Sequence, residues 1–156
     1  MGDRSYSFDA NLLLADGAAA QTASGYAQVG GADGILDLGG NQGVTPKQQA
    51  RIDAVLVGMI SAIDISSGNE TYKLKMLGCN AANFAANVQC LASLELGKGA
   101  SLVPATQVDA APGMFELPFS TEQFNTKYEY VKLYLELGGT SPSIQLQAYV
   151  AVLPEP

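Results

Sequence analysis

The sequence predicts an all-β protein, a two-layer antiparallel sandwich of jelly-roll or Greek-key type. Three observations predict it. Apolar residues alternate with polar ones over several stretches of strand length. Gly, Pro, Asn and Ser clusters separate those stretches. No segment sustains a helical period. The chain has 156 residues, 47% of them apolar and 15% charged. That length suits one folded domain, because two would each have a marginal core.

Residues 1–34 are rich in Ala, Gly, Ser and Asp, with one apolar stretch, Leu12-Leu13-Leu14. They read as an extended N-terminal arm with turns, outside the core. A single domain over 35–156 follows. ILDLGG (35–40) reads as a short strand, and NQGVTPKQQ (41–49) as a loop broken by Pro46. RIDAVLVGMI (51–60) is apolar on both faces, as a strand covered on both sides would be.

A turn at Ser67-Gly68-Asn69 leads to TYKLKMLG (71–78). There Tyr72, Leu74 and Met76 face one way, and Lys73 and Lys75 the other. CNAANFAANV (79–88) reads as a loop or one helical turn. In VQCLASLELG (88–97), alternation places Val88, Cys90, Ala92, Leu94 and Leu96 inward, with Cys90 a small core side chain. A loop over 98–112 contains Pro104 and Pro112. GMFELPF (113–119) sets Phe115, Leu117 and Phe119 on one face.

KYEYVKLYLELGG (127–139) is the clearest strand. Val131, Leu133, Leu135 and Leu137 share one face; Tyr128, Tyr130, Lys132, Tyr134 and Glu136 share the other. SIQLQAYVAVL (143–153) closes the fold with Ile144, Leu146, Ala148, Val150 and Val152 inward. The total is about seven or eight strands, and the long connections between them favour a jelly roll over a simple meander.

Composition narrows the chemistry. Eight basic against fifteen acidic side chains give a net charge of -7, which disfavours a nucleic-acid partner. No apolar run approaches the roughly 18 residues of a membrane helix, so no membrane partner is expected. The opening MGDRSYSFDANLLLADG has no basic region leading into an apolar stretch, and predicts no secretory signal. Two reduced thiols, Cys79 and Cys90, follow from that. Histidine is absent, which removes the commonest general base and zinc ligand. No phosphate loop, GxSxG or metal-ligand spacing is present, so no catalytic residue, cofactor or metal is expected.

The order D-A-N-L-L-L-A-D-G, F-E-L-P-F, Y-x-Y-V-K-L-Y and G-G-T-x-P-S-I, ending in an amphipathic strand, resembles the small jelly-roll decoration, or cement, proteins of tailed-bacteriophage capsids. The likeness runs over nearly the whole chain and is densest over 71–152. It implies a structural virion protein, made in the host bacterial cytoplasm and placed on the outer capsid surface. Its partners would be the major capsid protein and itself, as a homodimer or homotrimer. The side chains expected at those interfaces are Leu12, Leu13 and Leu14 in the arm, Tyr128, Tyr130 and Tyr134 on one strand face, and Tyr149 beside them if the last strand pairs there.

Two other classes compete. A carbohydrate-binding jelly roll would stack sugars on the same tyrosines, with Asp53 or Asp64 holding calcium. An enzyme without histidine would need paired carboxylates among Glu95, Glu116, Glu129 and Glu136.

Overall fold

A computed structural model describes residues 6–38, 51–98 and 111–152. The expected loop at 41–49 and most of that at 98–112 lie outside the described residues. A short 3-10 turn, Ala10–Leu12, opens the fold, its Asn11 amide held by the Asp9 carboxylate. The strands are β1 (Leu13–Asp16), β2 (Gly25–Tyr26), β3 (Gln28–Val29), β4 (Ala32–Asp33), β5 (Leu36–Asp37), β6 (Asp53–Ile63) and β7 (Thr71–Cys79). They continue as β8 (Gln89–Gly97), β9 (Gly113–Ser120), β10 (Glu122–Gln123), β11 (Thr126–Lys127), β12 (Tyr130–Gly138) and β13 (Ile144–Val152).

One sheet runs β1-β13-β6-β9 and the other β2-β12-β7-β8, with β5 also on the β12 edge. Every pair is antiparallel. The chain crosses from sheet to sheet at β1 to β2, β5 to β6, β6 to β7, β8 to β9, and again on either side of β12. That alternation is the jelly roll, two interlocked Greek keys. The inner faces meet in one core. Leu14, Leu56, Ile60, Ile144 and Leu146 come from the first sheet, and Tyr72, Leu74, Met76, Leu133 and Leu135 from the second.

The N-terminal segment is part of this core, which corrects the expected arm over 1–34. β1 is an edge strand of the first sheet, and β2 pairs with β12 in the second. Leu14 is fully buried. A bulge at Leu14 turns both Leu14 and Ala15 inward, which removes the alternation a sequence reading relies on. Packing here is tight, since a Cβ at Gly34 would lie 2.4 Å from the Leu14 carbonyl oxygen. The jelly roll therefore draws its first two strands from residues 13–26, and a domain starting at 35 would lack them.

A second bulge corrects the reading of 88–97. Leu77 faces Cys90 while Met76 faces Ala92, so Leu91 is the extra residue. Leu91 turns into the core and Cys90 is exposed. Ala92, Leu94 and Leu96 keep their inward positions, but Val88 lies before the strand and is exposed. The buried thiol is Cys79, whose Sγ lies 3.3 Å from the Ala86 carbonyl inside the loop 80–88. The last strand holds Ile144, Leu146, Ala148 and Val150 inward as expected, but Val152 is exposed at its end.

Candidate binding surface

The two outer faces of the sandwich differ in chemistry. On the second sheet, Lys73 stands between Glu95 at 3.9 Å and Glu136 at 3.8 Å, and Lys75 pairs with Glu136. These side chains project outward because β7 and β12 alternate strictly through this stretch. The hydrogen bond from Lys75 holds the Glu136 carboxyl below its ordinary range. The result is a charge ladder on an exposed sheet surface, where each pair contributes little stability.

Beside the ladder lies an aromatic cluster. Tyr26 meets Tyr134 edge-on at 5.2 Å and Phe84 at 6.0 Å. The Lys132 ammonium sits 4.4 Å from the Tyr26 ring centre and 5.0 Å from that of Phe84, and donates to Asp33 at 3.2 Å. Its stem is buried under loop 80–88, so the cation–π contacts act with little water present. The cluster ties that loop and the β3–β4 ribbon to the sheet. Burial raises the Tyr26 hydroxyl above its ordinary pKa, and Asp33 adds to the rise.

The outer face of the first sheet is apolar. Val55, Val57 and Ala151 point away from the main core and are nevertheless buried, with Tyr6 and Tyr149 packed on them. This explains why β6 is apolar on both sides. Phe8 meets Tyr149 edge-on at 5.1 Å. Next to them Met59 of β6 faces Met114 of the edge strand β9. Phe8, Met59 and Met114 are 55%, 45% and 64% exposed. Asp16 and Glu116 stand on the outer strands, so the centre of the face carries no charge.

At the end of the sandwich formed by residues 17–24, a cleft of about 550 Å³ opens under that segment. Alanine and glycine make up much of its wall. The two carboxylates on it are engaged, Asp16 by the Ala18 and Gly30 amides and Asp33 by Lys132.

The expected interface residues separate into three groups. Leu14 is core, and Leu12 is half-buried against it, so neither forms an exposed anchor. Leu13 lies on the first sheet opposite Tyr149. Tyr128 precedes β12 and packs against the core instead of sharing the outer face. Tyr130 and Tyr134 do lie on the outer face of the second sheet. Tyr149 does not join them, because β13 pairs with β1 and β6 in the first sheet. No family model, curated protein or solved structure matches the chain.

The other sequence candidates do not converge. Asp53 begins β6 and Asp64 follows its end, some 36 Å apart at about 3.3 Å per residue. Asp53 pairs with Arg51, and Asp64 accepts the Ser66 amide. Among the described residues no three His, Cys, Asp or Glu side chains gather as metal ligands. Glu116 lies on the first sheet, and Glu129 is buried just before β12. Phe8, Met59 and Met114 were not singled out by sequence. The signal for the methionines was their position one step out of phase with inward Ile60 and Phe115.

Proposed function

We propose that the chain is a structural virion protein that binds the outside of an assembled tailed-phage shell and clamps neighbouring shell subunits. The observation that carries this reading is the apolar patch on the outer face of the first sheet, built from Phe8, Met59, Met114 and Tyr149 and rimmed by Asp16 and Glu116. Exposed apolar surface with a polar rim marks a contact site. The resemblance to capsid decoration proteins supplies the partner, and the jelly-roll strand order agrees with it.

The mechanism needs no reactive group. A protein that binds the assembled shell better than its free subunits stabilises the shell by mass action. Self-association as a dimer or trimer would let each copy engage two or more subunits, and the repeated contacts multiply. The opposite face, with its lysine–glutamate ladder, would then face solvent. The sugar-binding alternative has less support. Tyr26 packs edge-on against Tyr134 and Phe84, and Lys132 lies over the Tyr26 and Phe84 rings, which leaves fewer open ring faces for a pyranose.

Mass spectrometry of virus particles from the source tests this. The expected result is a copy number in simple ratio to the major shell protein. Absence from particles would remove the proposal.

A further inference from the structure

The hairpin of β10 and β11 turns through Phe124 and Asn125, whose φ values are +50° and +59°. Two successive left-handed residues make a tight primed turn, for which Asn, Asp and Gly are the suited residues. Asn125 fits that rule and Phe124 does not, because a bulky side chain is disfavoured there. The Phe124 ring is also 86% exposed. Phe84 provides the contrast. It too has a positive φ, +51°, but its ring is buried against Tyr26 and Lys132, so packing offsets the strain. At Phe124 backbone strain and an exposed ring occur together, and nothing among the described residues offsets either.

The hairpin is firmly held. The Gln123 side chain donates to the Leu91 carbonyl at 2.8 Å and accepts from Gln89 at 3.1 Å. Asn80 donates to the Lys127 carbonyl at 3.0 Å. Thr121 at the base is buried, and its hydroxyl accepts the Ile52 amide at 2.8 Å. The ring is thus presented from a fixed platform, which lowers the ordering cost of binding. Glu122 and Lys127 face each other across the hairpin, so their charges balance beside the tip.

We propose that Phe124 is an anchor that inserts into an apolar pocket of a shell subunit. The proposal rests on the shell-binding reading and adds a second contact point to the face of the first sheet. A protein pocket fits better than a lipid surface. A single ring on a chain of net charge -7 has little attraction for an anionic membrane, whereas one aromatic side chain in a desolvated pocket commonly dominates a protein interface.

The test is Phe124→Asn, compared with the unaltered full chain. Asn suits the left-handed turn, so the melting temperature should be equal or higher. Binding to virus particles grown without this chain should weaken at least about ten-fold, the scale of an interface anchor. Unchanged binding by the variant would overturn the anchor and leave the shell reading standing. Failure of the unaltered chain to bind would overturn both. Phe124-dependent binding to phosphatidylcholine–phosphatidylglycerol vesicles, with no effect on particle binding, would overturn the protein pocket in favour of a lipid one.

Discussion

Deleting residues 1–26 should abolish folding, and Leu14→Ala alone should lower stability by about 3 kcal/mol. The deletion removes β1 from one sheet and β2 from the other. It also leaves edges of β12 and β13 unpaired, removes Leu14 and Ala15 from the core, and takes away Tyr6, which packs on the Val55, Val57 and Ala151 cluster. Leu14 is fully buried, and Gly34 approaches its backbone too closely for the site to collapse around a smaller side chain. Circular dichroism and thermal unfolding measure both effects. A truncated chain that still unfolds cooperatively at the full-length temperature would show that this segment is a detachable arm after all.

Tyr72→Ala should cost about 4 kcal/mol and Tyr72→Phe about 2 kcal/mol, measured by denaturant unfolding. Tyr72 is fully buried in β7, and its hydroxyl joins two loops at one end of the sandwich. The hydroxyl is within donating distance of the Asp64 and Ser143 carbonyls and accepts the Ser143 amide at 3.0 Å. Phenylalanine keeps the ring but leaves the Ser143 amide unpaired, and alanine leaves a cavity as well. A cost near zero for Tyr72→Phe would mean that water or a shifted loop replaces the hydroxyl.

Glu70 stands beside this junction, with its carboxylate buried and accepting from the Ser67 and Asn69 amides at 2.7 and 3.1 Å. Burial pushes the carboxyl pKa up. Hydrogen bonds from its own amide, Ser67 and Gly68 outweigh that and bring it below its ordinary value of 4.5. Its stabilising contribution is therefore full above that value and lost as pH falls through the lowered one. Glu70→Gln should remove that part of the acid dependence.

β7 and β12 were legible because each has one wet face. Tyr72, Leu74 and Met76 alternate with lysines that reach solvent, and the structure keeps that phase. β1 and β2 were not legible, since strands of four and two residues carry no measurable period and a bulge breaks β1. The Leu91 bulge likewise reversed Cys90, because one inserted residue moves its neighbours to the other face. Tyr149 shows a different limit. Its strand and its phase were readable, but the sheet it joins depends on pairings between distant segments. The candidate surface was partly hidden for the same reason. Phe8, Met59 and Met114 come from three separated segments, and only the strand order of the first sheet brings them together.

The most direct test of the account is binding of the Met59→Glu/Met114→Glu double variant to particles grown without this chain. Both side chains are exposed, so the free protein should still fold, with a lower melting temperature because the two carboxylates face each other across β6 and β9. Two added carboxylates on the apolar patch would have to be desolvated on docking, which predicts loss of binding. A folded double variant that coats particles as the unaltered chain does would contradict the assignment of that face to the shell.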